Sequence, residues 1–515
     1  MTENVGLFLR KRAFQTPDRV GYIDAHSGRC LTYRQLSERS NRIASLLLSR
    51  NIRPQERVAV LMRNCPEFLE IYYAIAAIGA IMVPLNWRLV PDEISYILHH
   101  SGATWLVFQE EFLESVDALQ SSAGVISVKH WLQVGSRRPL PAYARRFDEM
   151  VDEAAAEPSE IATGGNDALL IMYTSGTTGR PKGVVHTHVS AIWATLNLDA
   201  NSSFRDGDKY LTPMPMFHTG GLTPLSVNVY RGVTSCVIAD FDAELAWRLI
   251  EQERITTGFL VPTMLQFMLA VEGYGQRFNC TSLRWVMSGG APVTRELAHP
   301  FADLGVRILQ AYGLTETCGM TSIMDLETAG EKPDSIGRET FHVEVRIVND
   351  RNEVCAPGEP GELIVRGKSV FREYWNNPDA TRETLRDGWL HTGDLAIMDE
   401  AGYVFVRDRL KNMIISGGEN IYPAEIERTL LEHPGIAEVA VIGQKSRRWG
   451  ESPAAIIVPR DGSLTKDEVL SFCRAKLAGY KRPKRIEFVD SLPRNALGKV
   501  VKFVLKQQFP QDAPE

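Results

Sequence analysis

Short apolar runs alternate with helix-like segments along this chain, and this alternation constrains the fold more than any other feature of the sequence. Three such runs, at 57–61, 104–108 and 169–173, have the length of buried strands. Because strands and helices alternate, we predict an α/β fold with largely parallel sheets. At 515 residues the chain is too long for a single hydrophobic core, so it should form several structural units.

A charged segment marks the expected boundary between two domains. The apolar residues 404–406 run into the charged segment 407–412, which is typical of a linker. We therefore predict a large N-terminal domain of several subdomains over 1–408 and a small, mobile α+β domain over 409–515. The small domain should alternate helices and strands, at Pro423, at 439–442, at 455–458 and after Thr465.

The composition favours a cytoplasmic protein that binds small molecules. A formal net charge of -6 without long charged runs argues against a nucleic-acid or anionic-membrane surface. The seven cysteines form no CxxC pair and make a poor disulfide framework. The N-terminus lacks the features of a signal peptide. The most apolar run, 71–83, is shorter than the roughly 20 residues that cross a bilayer, so we expect a buried helix there and no transmembrane segment. The sequence leaves open whether the protein forms a homodimer.

A loop rich in glycine and hydroxyl residues follows the third apolar run. Residues 173–183 read Tyr-Thr-Ser-Gly-Thr-Thr-Gly-Arg-Pro-Lys-Gly. Glycines let the backbone approach phosphate oxygens closely, while hydroxyls and the ammonium of Lys182 bind those oxygens. The Walker spacing GxxxxGK[ST] is absent. The alternative for a short stretch of this composition is a flexible turn.

This loop resembles the signature segment of the adenylate-forming (AMP-binding) superfamily, which includes acyl-CoA synthetases, peptide-synthetase adenylation domains and firefly luciferase. Segments similar to the other motifs of the superfamily follow in its order, at 216–221, 288–292, 310–317, 389–394 and 492–499. The resemblance implies an AMP-forming acyl-CoA synthetase, which activates a carboxylic acid with ATP to an acyl-adenylate and then transfers the acyl group to coenzyme A. It thus implies ATP, Mg2+ and coenzyme A as ligands.

The resemblance also implies the residues of the ATP site. Glu316 and Thr174 are the implied Mg2+ ligands, in agreement with the preference of this ion for hard oxygen atoms. Asp394 would bind the ribose, and Lys499 would stabilise the charge that develops near the α-phosphate. Lys499, His218 and Glu316 are the implied catalytic residues. The full ATP set is Thr174, Ser175, Gly176, Thr177, Thr178, Gly179, Lys182, Gly290, Ala291, Pro292, Ala311, Tyr312, Gly313, Thr315, Asp394, Arg409 and Lys499.

The smaller domain is similar in sequence to the lid of 4-chlorobenzoate-CoA ligase and its fatty-acyl-CoA synthetase relatives. Lys411 occupies the hinge position, where a residue needs only to absorb backbone rotation. Aromatic and arginine side chains suit an adenine nucleotide, although a solvated charged loop is the alternative for the basic stretch 480–485. The implied coenzyme A residues are Arg88, Gly417, Gly418, Trp449, Tyr480 and Arg482.

The implied acyl pocket contains several small residues and no obvious cation. A second carboxylate would lack a partner there, so we expect an uncharged monocarboxylic acid, fatty or aromatic. The small residues predict a roomy pocket. His218 should position the acid and not act as a base, because a carboxylate substrate is already ionised. The pocket set is Trp193, His218, Phe259, Gly289, Ala311, Gly313, Cys318 and Gly319.

Three other functions share part of this signal. A stand-alone ligase that loads an acyl carrier protein would have the same N-terminal motifs, but the chain contains no carrier module. A catalytically silent nucleotide-binding protein would be free to lose Lys499 or Glu316, and both are present. A luciferase-like oxygenase uses the same adenylation chemistry, so the motifs alone do little to distinguish it from an acyl-CoA synthetase.

Overall fold

A computed structural model of the chain describes residues 3–121, 127–157, 164–174, 181–332, 334–409, 412–416, 419–446, 450–477, 479–494 and 499–509. The chain divides into two compact units. The first consists of Met1–Val345 and Val365–Leu390, and the second of Arg346–Ile364 and His391–Glu515. The second compact unit therefore includes residues 346–364 and 391–408, which we had assigned to the N-terminal domain. The domain boundary and hinge near residue 409 stay predictions.

Helices and strands alternate along the chain, as predicted. The α-helices are α1 (Gly6–Gln15), α2 (Tyr33–Ser49), α3 (Pro66–Ile78), α4 (Pro91–Ser101), α5 (Leu113–Ser121), α6 (Phe147–Glu153), α7 (His188–Asn201), α8 (Thr219–Arg231), α9 (Ala243–Gln252), α10 (Pro262–Leu269), α11 (Tyr274–Arg277), α12 (Arg295–Asp303), α13 (Pro378–Thr384), α14 (Pro423–Leu431), α15 (Lys466–Lys476) and α16 (Lys502–Gln508). Single 3-10 turns lie at Glu110–Phe112, Thr315–Thr317 and Gly479–Lys481.

The strands are β1 (Val20–Asp24), β2 (Cys30–Thr32), β3 (Arg57–Leu61), β4 (Ile81–Pro84), β5 (Trp105–Gln109), β6 (His130–Val134), β7 (Ala144–Arg146), β8 (Ala168–Thr174), β9 (Lys182–Thr187), β10 (Lys209–Thr212), β11 (Thr234–Val237), β12 (Thr257–Phe259), β13 (Trp285–Ser288), β14 (Arg307–Leu314), β15 (Gly319–Ile323), β16 (Arg338–Glu339), β17 (Val343–Val348), β18 (Gly361–Gly367), β19 (Glu373–Tyr374), β20 (Leu385–Arg386), β21 (Trp389–Met398), β22 (Val404–Arg409), β23 (Ile414–Ser416), β24 (Glu419–Ile421), β25 (Ile436–Ser446), β26 (Gly450–Pro459) and β27 (Arg485–Phe488).

An eight-stranded sheet of order β19-β9-β8-β4-β3-β5-β6-β7 lies in the first unit. The pairs from β8 through β7 in this order are parallel, whereas β9 pairs with β8, and β19 with β9, in antiparallel fashion. The three apolar runs in which we predicted strands form β3, β5 and β8, and most of their residues are buried. The α/β prediction with largely parallel sheets is confirmed.

The most apolar run forms the end of a helix and then a strand, whereas we expected one buried helix. α3 is buried over nearly its whole length and ends at Gly79. This glycine has a φ of 71°, a left-handed conformation that glycine adopts without steric strain. The chain then enters the buried strand β4. No helix in the described ranges is long and apolar enough to span a membrane.

A nine-stranded sheet of order β16-β15-β14-β13-β12-β10-β11-β1-β2 also belongs to the first unit. Its β14 is longer than the parallel neighbour β13. The additional residues of β14, from Ala311 to Leu314, pair in antiparallel fashion with β15 instead. This extension carries the segment that we predicted to border ATP, and it places that segment beyond the carboxyl end of β13.

The second unit contains the expected α+β domain. In its sheet, β23 and β25 flank β26 and are antiparallel to it, β24 pairs with β23, and β27 runs parallel to β26. Both predicted strands are present within β25 and β26. The predicted helices are α14, with Pro423 in its first turn, and α15, which Thr465 and Glu468 begin with a capping box. The core of this domain is aliphatic, with Ile426 and Ile457 fully buried.

Candidate functional site

The predicted phosphate loop connects two antiparallel strands. β8 ends at Thr174 and β9 begins at Lys182, and the register places these two residues opposite each other. Seven loop positions, 175–181, lie between them, and six of these, 175–180, are outside the described residues, so the predictions for Ser175 to Gly179 stay predictions. The positions of the two strand ends, Thr174 and Lys182, nevertheless show where the loop leaves β8 and where it enters β9.

Tyr374 connects this hairpin to the predicted metal ligand. Its strand, β19, pairs with β9, so the tyrosine lies beside the start of β9. The Nζ of Lys182 lies 4.9 Å from the centroid of the Tyr374 ring. The Tyr374 hydroxyl donates a hydrogen bond of 2.7 Å to Oε1 of Glu316. One side chain therefore holds the predicted phosphate ligand Lys182 and the predicted metal ligand Glu316 in one place.

The turn that carries Glu316 is fixed by hydrogen bonds on both sides. The backbone N of Phe371 donates to the Glu316 carbonyl at 2.7 Å. Nε2 of His186 lies 2.8 Å from the Thr315 carbonyl. Burial lowers the pKa of His186 to about 4, so the ring is neutral at pH 7 and donates from Nε2. Within the turn, the Thr317 hydroxyl accepts from the N of Leu314 at 2.9 Å.

Further residues of the predicted ATP set lie after β13 and in the extension of β14. Gly290, Ala291 and Pro292 form an exposed loop after β13. The backbone N of Val293, which follows this loop, donates to the side chain of Gln310 in β14 at 3.1 Å. A Cβ atom on Gly289 would lie 2.6 Å from the Ala311 carbonyl oxygen, so the loop can approach β14 only with glycine at this position. The structure thus brings Gly289 and Ala311 close together, and the roles of these residues stay predictions.

In the second unit, the predicted ribose ligand Asp394 is buried and lies opposite Arg409 in the pairing of β21 with β22. The backbone N of Asp394 donates to the Thr392 hydroxyl at 3.0 Å. Glu362 fixes the same turn, because its two oxygens bind the N of Gly393 at 2.9 Å and Nδ1 of His391 at 2.7 Å. The backbone turn that carries Asp394 is therefore held in part by Glu362, which sequence reasoning did not identify.

The structure describes only some of the remaining site residues that we predicted near the C-terminus. Lys499 is exposed and precedes Val500, which forms a β-bridge with Arg494. Tyr480 lies in the 3-10 turn Gly479–Lys481. The hinge candidate and three coenzyme A candidates lie outside the described residues, namely Lys411, Gly417, Gly418 and Trp449.

Arg482 has a structural role besides the predicted one. Its Nε donates to the Leu477 carbonyl at 2.9 Å and its Nη2 to the Arg474 carbonyl at 3.3 Å. These carbonyls lie at the C-terminal end of α15, where backbone oxygens lack helical partners. The side chain therefore caps α15.

His218 and Arg88 lie near each other in the first unit. Burial, and secondly the positive charge of Arg88, lower the pKa of His218 to about 3. Nε2 of His218 is buried and has no hydrogen-bond partner among the described residues. The Arg88 guanidinium lies 4.5 Å from the ring centroid of Trp87. His218 is therefore a neutral side chain with an available ring nitrogen.

The structure places the predicted acyl-pocket residues in three groups. Phe259 lies near Gly289, whose added Cβ would be 3.7 Å from its Cζ, and near Gly220, which follows His218. Cys318 and Gly319 contact α8. Trp193 lies apart from these contacts, with Nζ of Lys368 at 4.6 Å from its ring centroid.

Two of the small residues have a role in the backbone, whereas the roomy pocket stays a prediction. A Cβ on Gly313 would lie 2.0 Å from the Gly319 carbonyl oxygen, because β14 and β15 approach closely there. Gly319 has a φ of 150°, which favours glycine. Both glycines are thus required by the backbone. Of the predicted pocket residues, only Cys318 lines the cavity in this region, which has a volume of about 10 Å³, room for roughly one water molecule.

Comparison with known proteins identifies the family. The AMP-binding enzyme family matches residues 9–375, and the AMP-binding enzyme C-terminal domain matches residues 425–499. The chain is 38% identical over 514 residues to the long-chain-fatty-acid–CoA ligase FadD13 of Mycobacterium tuberculosis, with 100% of both chains covered. It is 39% identical over 509 residues to the feruloyl-CoA synthase of an Amycolatopsis species, covering 98% of this chain and 99% of the relative.

A solved structure supports the same conclusion. The o-succinylbenzoate CoA synthetase of Bacillus subtilis, in complex with its acyl-adenylate intermediate, has a TM-score of 0.86 to this chain at 32% identity, and 97% of each chain is covered. Enzymes of this kind use ATP, Mg2+ and coenzyme A. The chain therefore belongs to the AMP-binding enzymes of the adenylate-forming superfamily, as an ATP-dependent acid–thiol ligase that forms coenzyme A thioesters.

Proposed function

We propose that this ligase acts, through an acyl-adenylate, on an uncharged monocarboxylic acid that is either fatty or aromatic. The observation that carries the proposal is the character of the surface beside the predicted pocket residue Cys318: the small cavity there, which is not itself large enough for an acid, is lined by apolar and hydroxyl groups and, among the described residues, by no charged group. A buried carboxylate without a cationic partner is strongly unfavourable in such surroundings. A fatty acid and ferulate are named for two relatives. The lining residues are Tyr72, Leu170, Met172, Ala191, Thr195, Leu222, Thr223, Ser226 and Cys318.

For adenylation, we assign the ATP phosphates to the loop between Thr174 and Lys182. Glu316 and Thr174 offer a carboxylate and a hydroxyl, the hard oxygen donors that suit Mg2+. When bound, this ion neutralises phosphate charge. In the described part of the chain, no group of three or more His, Cys, Asp or Glu side chains could hold a metal. A site of one carboxylate and one hydroxyl therefore depends on ATP to complete the coordination. Tyr374 orients the Glu316 carboxylate for this role.

We assign His218 to placement of the acid. Its pKa of about 3 keeps the imidazole neutral at pH 7, so it adds no positive charge. The substrate carboxylate is already ionised and needs no base. A neutral ring can restrict the position of the acid sterically and can hydrogen-bond through Nε2.

In the second unit, we assign Asp394 to the ribose hydroxyls and Lys499 to the charge that develops at the α-phosphate. The support for Asp394 is its buried, fixed turn, since a carboxylate that is held in place binds hydroxyls with little loss of entropy. A fixed ammonium stabilises developing anionic charge more than it stabilises the ground state.

A dicarboxylic acid is the second candidate, because Lys368 lies over the ring of Trp193, a predicted pocket residue. The ammonium of Lys368 could pair with a second carboxylate. Succinylbenzoate is named for one of the compared structures. This candidate requires that the second carboxylate lie beside Trp193.

ATP–pyrophosphate exchange with matched acids distinguishes the two candidates. Hexanoate and 3-phenylpropanoate should support exchange, with adipate and 2-succinylbenzoate roughly 10-fold or more weaker. Lys368→Met should leave this order unchanged. Preference for the dicarboxylic acids, lost in Lys368→Met, would establish the second candidate and overturn the first.

A further inference from the structure

The last turn of α4 contacts the strand that leads into the predicted phosphate loop. Nδ1 of His100 lies 2.8 Å from the hydroxyl of Tyr173, the residue of β8 that precedes Thr174. Burial, and secondly the charge of His99, lower the pKa of His100, so its ring is neutral at pH 7. With its proton on Nε2, a neutral ring accepts the hydroxyl hydrogen at Nδ1. This hydrogen bond thus holds the residue next to a predicted Mg2+ ligand.

A second contact of α4 lies where the loop enters β9. The hydroxyl of Tyr96 donates a long hydrogen bond of 3.4 Å to the Pro181 carbonyl. The rings of Tyr96 and His100 stack, with their centroids 5.4 Å apart and an interplanar angle of 20°. Residues four positions apart lie on the same face of a helix, so the two rings form one surface. This surface therefore contacts the residue before Thr174 and the residue before Lys182.

The residue after Tyr374 connects β9 to the same turn of α4. Trp375 donates from its backbone N to the Gly183 carbonyl at 2.7 Å and from Nε1 to the His100 carbonyl at 3.1 Å. A Cβ on Gly183 would lie 3.1 Å from Cζ of Tyr173, so β9 approaches that ring closely. The contacts therefore form a closed ring, and neither strand can move relative to α4 without breaking one of them.

The end of α4 is itself attached to the sheet. Arg57 of β3 donates from Nε to the Ser101 carbonyl at 2.8 Å and from Nη2 to the Gly102 carbonyl at 2.9 Å. Carbonyls at the C-terminal end of a helix lack helical partners, so these bonds stabilise the last turn. The Arg57 guanidinium also lies 5.7 Å from the ring centroid of Trp375. The turn that carries His100 is therefore a fixed support.

We propose that His100 and Tyr173 are positioning residues for MgATP: their hydrogen bond holds Thr174, and through the strand pairing Lys182, where these two residues bind the metal ion and the phosphates. This inference rests on the proposed assignment of the ATP phosphates to the loop between Thr174 and Lys182. His100 and Tyr173 act through these neighbours and not by touching the nucleotide. Their effect should therefore be specific to ligands that carry the terminal phosphates of ATP.

Three substitutions separate the hydrogen bond from the packing of the rings. Tyr173→Phe and His100→Phe each remove the bond and keep an aromatic ring, whereas His100→Asn keeps a polar group near the position of Nδ1. Isothermal titration calorimetry of the full chain, without acid, measures the Kd for MgATP. This Kd should rise about 3- to 10-fold in Tyr173→Phe and in His100→Phe, as for the loss of one hydrogen bond. In His100→Asn it should stay within about 2-fold of the wild type.

AMP provides the readout that separates positioning from a general loss of structure. It lacks the two terminal phosphates, so its Kd should change less than about 2-fold in each variant. A double variant of Tyr173→Phe and His100→Phe should bind MgATP about as well as the weaker of the two single variants, because both remove the same bond. Thermal unfolding reports whether each variant is folded.

The matched control is Tyr33→Phe. Tyr33 is fully buried in α2, and its hydroxyl donates to the carbonyls of Asn228 and Val233, which are not predicted site residues. This variant should lose stability and keep the wild-type Kd for MgATP. If Tyr33→Phe weakened MgATP binding as much as Tyr173→Phe, the effect would be general and the positioning role would be wrong.

The remaining outcomes are equally distinct. An unchanged Kd for MgATP in folded Tyr173→Phe, equal changes for MgATP and AMP, or additive losses in the double variant would each overturn the positioning role. Lys182→Met tests the phosphate assignment separately, because it removes a charged ligand and should raise the Kd for MgATP at least about 10-fold. A wild-type Kd in Lys182→Met would contradict that assignment, whatever Tyr173→Phe shows.

Discussion

At the scale of single residues, the Tyr374 hydroxyl is the contact that orients the predicted metal ligand. Tyr374→Phe removes its hydrogen bond to Glu316 but keeps the ring beside Lys182. We expect kcat/KM for MgATP to fall about 10-fold and the Mg2+ concentration for half-maximal rate to rise, since a hydrogen bond to a charged group contributes about 1.5–3 kcal/mol. Steady-state rates over a Mg2+ titration measure both.

The control for this variant is Tyr143→Phe. Tyr143 also donates to a carboxylate, that of Asp117, in a part of the first unit without predicted site residues. Loss of the Tyr143 hydroxyl should leave the dependence of the rate on Mg2+ concentration unchanged. An identical Mg2+ dependence in Tyr374→Phe and the wild type would contradict the role of Tyr374.

Lys499 should act in only one of the two half-reactions. We expect Lys499→Ala to slow adenylation roughly 100- to 1000-fold, as for the loss of one preorganised donor, and largely to spare thioester formation from supplied acyl-adenylate. Single-turnover measurements of each step decide this, with Lys506→Ala as a control in the nearby helix α16. Equal slowing of both steps would reject the assignment.

The site residues that sequence reasoning predicts differ physically from the contacts that only the fold reveals. Thr174, Lys182 and Glu316 lie in contiguous motifs, so their chemistry is visible in sequence. Tyr374 is one of 15 tyrosines and acquires its role only when β19 pairs with β9. Likewise, His186 hydrogen-bonds to the carbonyl of Thr315, which lies 129 positions further along the chain. Contacts of this kind depend on the tertiary fold and leave no local pattern.

At the scale of elements, two of the small residues predicted to line the acyl pocket have a second explanation in the backbone. Gly313 and Gly319 lie where β14 and β15 approach closely or adopt a left-handed φ, so they reflect backbone geometry. Gly319→Leu should therefore lower kcat for every acid alike. A selective loss of long acids, measured across a homologous series, would instead assign the pocket wall to Gly319.

The end of α15 depends on one of the predicted coenzyme A residues. Because Arg482 caps this helix, Arg482→Ala should destabilise the lid by about 1–2 kcal/mol as well as raise KM for coenzyme A. Trp449→Ala should raise KM for coenzyme A, and neither variant should slow ATP–pyrophosphate exchange. Thermal unfolding and both assays are compared at a temperature where each variant is folded. A parallel loss of exchange would place these residues in the ATP site.

At the scale of the whole molecule, buried histidines make stability depend on pH. Burial lowers the pKa of His186 and of His188 to about 4 and that of His218 to about 3, so these rings stay neutral in the folded state. The unfolded chain protonates them near pH 6.5 and so binds more protons, which lowers stability as the pH falls. Glu70 acts oppositely, because burial raises its pKa to about 7 and the folded state then binds the extra proton.

Three histidines against one carboxyl give a net difference of two protons. These four groups should therefore reduce the free energy of unfolding by about 2–3 kcal/mol per pH unit between pH 6 and pH 5. Urea denaturation at several pH values measures this slope, and Glu70→Gln should make it steeper by about 1.4 kcal/mol per pH unit. A stability that is constant over this range would show that the histidines are not buried as neutral rings.

At the same scale, residues of the ATP site are predicted in both units of the chain. The most direct test of the account is the yield of AMP, pyrophosphate and thioester from ATP and a neutral acid such as 3-phenylpropanoate or octanoate, with and without coenzyme A. We predict pyrophosphate exchange without coenzyme A, and one AMP per thioester with continuous turnover when coenzyme A is present. Continuous AMP release that is independent of coenzyme A, or ADP as the nucleotide product, would contradict it.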